Sequence, residues 1–198
     1  MKKILRICAV ATLMVLGMGV LSQVDAQESA TEKATITITE YSDYQCPACA
    51  YFHPIVKKLK DKYGDQIDLN LKFYPLNNHR FAALAARAAQ SAKNQGKFRE
   101  MHNMIYENQK RWSQSSNPAP IFEGYAKKLD LDMAEFRNDL NAMETQKTVM
   151  QEKQEGVNQG VNSTPTFFID GQKLEQLPRT FAQFDQIIQQ RLDKKVNG

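Results

Sequence analysis

The sequence has few cysteines, little net charge and no apolar run long enough to cross a bilayer, and each shortage excludes a class of protein. Three cysteines in 198 residues are too few for the spaced disulfides that hold a small secreted scaffold together. A formal charge of +4 is too weak an excess to indicate nucleic-acid binding. The apolar run at residues 7–21 falls short of the ~20 residues that a spanning helix needs. The chain length instead suits one domain with a sizeable core.

That apolar run has the features of an export signal. Lys2, Lys3 and Arg6 precede it, and Val24-Asp25-Ala26 follows it with small residues where a signal peptidase reads them. We therefore predict a signal peptide over residues 1–26, cleaved after Ala26, and a periplasmic or otherwise extracytoplasmic domain over residues 27–198. The alternative is a membrane anchor. Cleavage would leave the mature protein with only two cysteines, because Cys8 lies in the signal.

The first half of the mature chain predicts a strand, a helix and a second strand. Residues 34–40 alternate with period two, which places Glu40 on the apolar face of the first strand. The alternative is that the strand ends before Glu40 and leaves its carboxylate in solvent. The helix begins at Cys46, contains Pro54 as a kink and stops at Gly64. Residues 67–73 alternate again and form the second strand. A strand–helix–strand run of this length indicates a right-handed βαβ unit.

The second half predicts a helical insert followed by a closing hairpin and helix. Residues 78–160 are almost wholly helical in pattern, and Asp132 with Glu135 makes a capping box within them. The β pattern resumes at residues 164–169, and Asp170-Gly171 is a hairpin turn signal before a returning strand at 172–176. A last helix follows. The order βαβ, helical insert, ββα predicts an α/β fold with four strands and helices on both faces.

The pair Cys46-Pro47-Ala48-Cys49 lies where chemistry is expected, between a strand and the start of a helix. Unpaired N–H groups and the helix dipole at that position favour a thiolate, so we predict Cys46 as the nucleophile. Cys49, one turn inside, is predicted to be the resolving thiol. A metal site on Cys46, Cys49 and His53 is the alternative, but it lacks a fourth ligand. His79 and His102 are predicted to be a surface residue and a packed residue.

Together these motifs resemble the thioredoxin superfamily, and its exported, helix-inserted branch of DsbA-like thiol:disulfide oxidoreductases. The resemblance rests on residues 41–49, on the kink proline, on the helical insert and on Thr164-Pro165-Thr166 before the closing hairpin. It covers nearly the whole mature chain. It implies a thioredoxin fold with the helical insertion between the second and third strands.

The resemblance also implies roles for residues outside the cysteine pair. Thr164–Pro165 would be a cis bond facing the cysteines, and its backbone would pair with an extended substrate chain. Pro47 and Ala48, between the cysteines, would line the same substrate site. Glu40 occupies the place of the family's buried carboxylate and would act as a proton acceptor near Cys49. Lys72, on the second strand, is the candidate basic partner of Glu40.

The predicted function is an extracytoplasmic oxidase that introduces disulfides into exported proteins. Its partners would be the thiols of exported proteins and a membrane oxidoreductase that reoxidises the cysteine pair, with no cofactor, metal or nucleic acid. Only residues 27–33 precede the first strand, which favours a monomer over the oligomeric isomerases of the superfamily. Two alternatives stay open: a reductase or isomerase, and a metal-binding or chaperone-like module whose cysteines are not catalytic.

Overall fold

The computed structural model describes residues 34–197, so the predicted signal peptide, its cleavage site and Cys8 lie outside the described residues. Strands and helices follow each other as the alternating patterns predict. In chain order they are β1 Ile36–Ser42, α1 Pro47–Tyr63, β2 Ile67–Phe73, α2 Ala82–Asn94, α3 Phe98–Glu107, α4 Gln109–Ser113, α5 Ala119–Lys128, α6 Met133–Asn141, α7 Met143–Asn158, β3 Thr166–Ile169, β4 Gln172–Lys173 and α8 Phe181–Asn197.

The four strands form one mixed sheet in the order β2-β1-β3-β4. β1 runs parallel to β2, as a βαβ crossover requires, and antiparallel to β3, which pairs antiparallel with β4. All six helices of the insert lie between β2 and β3 in the chain. The predicted α/β fold with a helical insertion between the second and third strands is therefore confirmed.

The buried apolar residues form two large cores, one between the sheet and two of its helices and one within the insert, and a smaller third cluster. The first core joins one face of β1 and β3 to α1 and α8 through fully buried side chains such as Ile38, Leu59, Phe167 and Phe184. Burying each such side chain contributes roughly 1.5–3 kcal/mol. The second core fills the insert and reaches the active-site helix, because it includes both cysteines. The insert thus packs directly against the cysteine pair.

Helix α7 lies close against the opposite face of the sheet, and Gly156 makes that approach possible. A Cβ atom at this position would be 2.8 Å from Cδ1 of Tyr41 and 2.9 Å from Cδ2 of Tyr74. Tyr41, Tyr74 and Phe168 form a third apolar cluster there. The tight contact fixes α7 on the face that does not carry Glu40.

Local details refine the predicted elements. The side chain of Asp132 caps α6 by accepting from the N–H groups of Ala134 and Glu135, which is one half of the predicted capping box. The N–H of Asp132 donates to Oε1 of Gln95 and not to Glu135, so the other half is not formed. Asp170 and Gly171 have φ values of 48° and 77°, the left-handed conformation that a two-residue hairpin turn requires. The returning strand is shorter than predicted, since β4 covers only Gln172–Lys173. No helix within residues 34–197 is both long and apolar enough to cross a membrane.

Candidate functional site: a cysteine pair at a helix N-terminus

Cys46 is the N-cap of α1, with Pro47 at the first helical position. The pKa of its thiol is lowered to about 5, chiefly because the Cys49 thiol donates a hydrogen bond to the Cys46 sulfur. The side chain of Thr164 and the N–H groups of Cys49 and Ala48 lower it further, against the opposing effect of burial. A thiol with this pKa is ionised at neutral pH.

Cys49 is fully buried, and the pKa of its thiol is shifted in the opposite direction. Burial raises the pKa of its thiol, and the hydrogen bond to Cys46 and the charges of Cys46 and Glu40 raise it further. The N–H of Asp43 lies 3.5 Å from its sulfur and is the one contact that opposes the rise. Both cysteines are free thiols in this structure. One sulfur is thus held as an anion while its neighbour keeps a proton.

Thr164 and Pro165 lie beside Cys46, although 118 residues separate Thr164 from Cys46 in the chain. The Thr164–Pro165 peptide bond is cis, as the resemblance implies. In its thiol form Cys46 donates to the Thr164 carbonyl at 3.4 Å. Pro47 and Ala48 are exposed next to it. The contact of all four with a substrate chain stays a prediction.

Glu40 is buried at 2% exposure on the face of β1 predicted from the alternation. Burial raises the pKa of its carboxyl to about 7, and a hydrogen bond from Ser42 Oγ at 2.7 Å partly opposes that rise. Its charge is also one of the causes of the raised Cys49 pKa. A carboxyl with a pKa near 7 can both accept and release a proton at working pH.

Lys72 is not the partner of Glu40, and this prediction was wrong. In the parallel β1–β2 pair Glu40 is opposite Leu71, so Lys72 is opposite Tyr41 and shares its face. On that face the Lys72 ammonium lies 2.9 Å from Glu155 and 4.0 Å from Glu152, both on α7. One residue of register places a side chain on the other face of a sheet.

Asp43 organises the loop before α1, a role that the sequence analysis did not assign. Its carboxylate is fully buried and accepts from the N–H of Gln45 at 2.6 Å and of Leu76 at 2.7 Å. It also lies 2.9 Å from Nδ1 of His79, whose side chain is 20% exposed, so His79 is half-buried and contacts Asp43 rather than only solvent. The position of Asp43, directly after a strand and two residues before Gln45, is a signal for such a turn.

Gln109, at the start of α4, holds the same loop from the insert. Its side-chain amide donates to the carbonyl oxygens of Tyr44 at 2.8 Å and Cys46 at 2.9 Å. Both acceptors belong to backbone that precedes or caps the active-site helix. Because 63 residues separate Gln109 from Cys46, no local pattern points to this contact.

A cluster of polar aromatic residues packs behind the cysteines. His102 is buried, as predicted, and its Nδ1 lies 2.9 Å from the Tyr44 hydroxyl. His53 stacks on Tyr106 with ring centroids 5.0 Å apart. Burial lowers the pKa of His53 to about 4 and that of His102 well below its usual value, so both are neutral at pH 7.

The metal alternative requires further ligands beside the two cysteines. Within residues 34–197 no three histidine, cysteine or carboxylate side chains converge so as to hold a metal ion. His53 belongs instead to the aromatic cluster.

The fold and the site together define the class: the chain has the architecture of the thioredoxin superfamily, with a Cys-x-x-Cys pair at the N-terminus of its first helix. A family model described as Thioredoxin matches residues 30–190. The chain belongs to this thioredoxin family.

Solved structures support the same fold. The chain resembles alpha-DsbA1 from Wolbachia pipientis with a TM-score of 0.70 and 20% identity, covering 83% of this chain and 89% of that one. It resembles oxidised BdbD from Bacillus subtilis with a TM-score of 0.68 and 20% identity, covering 82% and 90%. At 20% identity these similarities support the fold alone, and the chemistry has to be argued from the residues of this chain.

Curated relatives match over a part of their length. The chain is 33% identical over 142 residues to a Na(+)/H(+) antiporter NhaA 3 of Salinispora tropica, which is 71% of this chain and 21% of that protein. It is 30% identical over 143 residues to a Na(+)/H(+) antiporter NhaA of Herminiimonas arsenicoxydans, which is 72% of this chain and 22% of that protein. The chain thus spans about a fifth of the length of these relatives.

Proposed function

We propose that the protein is an extracytoplasmic oxidase that transfers its Cys46–Cys49 disulfide to the thiols of exported proteins. The observation that carries this proposal is the opposite shift of the two thiols: the pKa of Cys46 is lowered to about 5 and that of Cys49 is raised. Stabilising the Cys46 thiolate stabilises the reduced protein. A redox pair with a stable reduced form is an oxidant.

The magnitude of the Cys46 shift favours this direction of transfer. A thiol with a pKa of about 5 has roughly 30 times more thiolate at pH 7 than free cysteine at about 8.5. The same drop reduces the nucleophilicity of the thiolate by about 25- to 60-fold, so the two effects nearly cancel in attack. The low pKa therefore has its main effect when Cys46 is the leaving group, because a low-pKa thiol leaves faster. Cys46 is the leaving group in the step that forms the substrate disulfide.

In the proposed cycle a substrate thiolate attacks Cys46 of the oxidised protein. A mixed disulfide forms between the substrate and Cys46, and Cys49 leaves and takes up a proton. A second substrate thiolate then attacks the substrate sulfur and expels Cys46 as a thiolate. The substrate gains a disulfide, the protein keeps two thiols, and a membrane oxidoreductase accepts the two electrons in a later step.

Two variants test the roles of the sulfurs. We expect Cys46→Ser to abolish oxidation of a reduced two-cysteine peptide. We expect Cys49→Ser to accumulate mixed disulfides, visible as mass additions that a reductant removes. Full activity of Cys46→Ser would overturn the proposal.

A redox titration against glutathione tests the direction. An oxidase predicts a reduction potential more positive than about −200 mV, whereas a value near that of thioredoxin, about −270 mV, supports a reductase.

Peptide mass mapping of protein purified from the producing cell tests export, since cleavage after Ala26 leaves a chain that begins at Gln27. Light scattering of the same sample tests the predicted monomer.

A further inference from the structure

The helical insert holds a cavity that the thiol chemistry does not use. It has a volume of about 310 Å³ and is bounded by α4 and α5. Most of its lining comes from one face of α5, where residues recur at the i, i+3, i+4 and i+7 spacing of a helix. The lining residues are Arg111, Pro120, Ile121, Gly124, Tyr125 and Lys128.

The hydroxyl of Tyr125 is buried without a hydrogen-bond partner within residues 34–197. The whole side chain is only 4% exposed. A buried tyrosine usually places its hydroxyl against a partner, because an unpaired polar group out of water is costly. Burial raises the pKa of Tyr125, and the charge of Arg111 partly opposes that rise. Arg111 therefore lies near the hydroxyl, and both residues border the cavity.

The cavity carries positive charge and has no carboxylate in its lining. Arg111 and Lys128 border it, and neither forms an ion pair within the described part of the chain. Glu123, on the same helix, instead pairs with Arg137 at 2.9 Å. Two cations beside an unpaired hydroxyl match an oxyanion, because all three groups donate hydrogen bonds.

Gly124 leaves open space beside these donors. A Cβ atom at this position would meet no neighbouring atom within 4 Å, and the φ of Gly124 is not positive. Neither packing nor backbone conformation therefore requires glycine here, although glycine inside a helix lowers its stability relative to alanine. The space next to Ile121 and the Tyr125 ring can take the apolar part of a ligand.

We propose that this cavity binds a carboxylate that is attached to an apolar group. The Tyr125 hydroxyl and the Arg111 guanidinium donate to the carboxylate oxygens, Lys128 adds its charge, and the apolar group lies over Gly124. The inference goes beyond the proposed function, because it involves neither cysteine. Such a carboxylate has two sources, a free small acid and the glutamate side chain of a polypeptide.

Titration of the nitrogen-15-labelled protein with 3-phenylpropionate tests the site, and the neutral 3-phenylpropanamide is the control of the same shape. We expect the amide resonances of Ile121, Gly124 and Lys128 to shift and saturate with a Kd of about 1 mM. The neutral amide should bind about tenfold more weakly or less, because it lacks the charge. A blocked Phe-Glu dipeptide, compared with Phe-Gln, tests the second source, and the tighter of the two anions identifies which source the site prefers.

Variants of the lining residues should weaken binding of 3-phenylpropionate selectively. Tyr125→Phe and Arg111→Gln should each raise the Kd about tenfold or more, since each removes a hydrogen bond to a charged group. Lys127→Gln is the control for charge, because Lys127 is exposed next to Lys128 and does not line the cavity. It should change the Kd by less than about twofold at physiological salt. Gly124→Leu fills the open space and should abolish binding without lowering the melting temperature.

Several outcomes overturn the site. Equal binding of the acid and the neutral amide would show that the cavity selects only for apolar groups. Equal losses in Lys127→Gln and Arg111→Gln would show a general attraction to a positive surface, and no saturable shift on α5 with either anion would show that nothing of this class binds. A lower melting temperature of Tyr125→Phe would show that the hydroxyl has a partner in the folded protein. None of these results bears on the thiol chemistry, which the Cys46→Ser variant tests.

Discussion

The hydrogen bond from Cys49 is the largest single cause of the low Cys46 pKa, so removing that donor should raise the pKa. Cys49→Ala deletes the donor, whereas Cys49→Ser keeps one and is the matched control. A hydrogen bond to a charged group contributes roughly 1.5–3 kcal/mol, which corresponds to roughly 1–2 pKa units. We expect the Cys46 pKa to rise from about 5 to roughly 6–7 in Cys49→Ala and to change little in Cys49→Ser.

The change in the Cys46 pKa can be measured directly, because Cys46 is the one thiol left in the domain in each variant. At pH 7 the thiolate fraction of Cys46 should fall from about 99% in Cys49→Ser to roughly 50–90% in Cys49→Ala. Ultraviolet absorbance of the thiolate, followed from pH 3 to pH 10, gives both curves directly, and the rate of alkylation by iodoacetamide is an independent readout.

Two results would refute this reasoning. Superimposable titration curves for the two variants would mean that the Cys49 donor is not the main cause. Ionisation near 8.5 in both variants would mean that the helix N-terminus and Thr164 do not stabilise the thiolate either. The second result would also remove the main support for the oxidase.

Three further predictions concern stability. Gly156→Ala should lower the free energy of unfolding in urea by about 1–3 kcal/mol, because the added methyl group meets Tyr41. The control Gly124→Ala, in open space inside α5, should raise it by up to about 1 kcal/mol. Equal effects of the two substitutions would contradict the close approach of α7. Asp43→Asn should lower the free energy of unfolding by about 2 kcal/mol, since the buried carboxylate is hydrogen-bonded to Gln45, Leu76 and His79. An unchanged urea midpoint would contradict the role of Asp43 in organising the loop before α1. The reduced protein should lose stability relative to the oxidised protein as the pH falls from about 8.5 through about 5, because the Cys46 thiolate becomes protonated in that range. Thermal unfolding of both forms at pH 4 and pH 7 measures this effect. The same difference in melting temperature between the two forms at both pH values would show that the prediction is wrong.

The features that the sequence predicts are those that depend on neighbouring residues. Alternation identifies the burial of Glu40, and the start of a periodic helix places Cys46 at its cap. The Asp170-Gly171 turn depends on two residues and is correct. These patterns act over one turn or one strand, so reading them requires no knowledge of the partner element.

What the sequence could not supply is the pairing of distant elements. The register of β1 and β2 puts Lys72 on the far face from Glu40, and no property of either strand alone sets that register. The contact between Ser42 and Tyr106 spans 64 residues. The apolar stripe of α3 does offer a signal, because a tyrosine on a buried stripe needs a partner for its hydroxyl.

The bridge from Gln109 to the carbonyl oxygens of Tyr44 and Cys46 means that the cap of the active-site helix is anchored from outside the sheet. The Cys46 carbonyl also accepts a hydrogen bond from the N–H of Ala50 in the first turn of that helix. A chimera that kept the sheet and the active-site helix but exchanged the insert would keep both cysteines and lose this anchor on the residue that caps the helix.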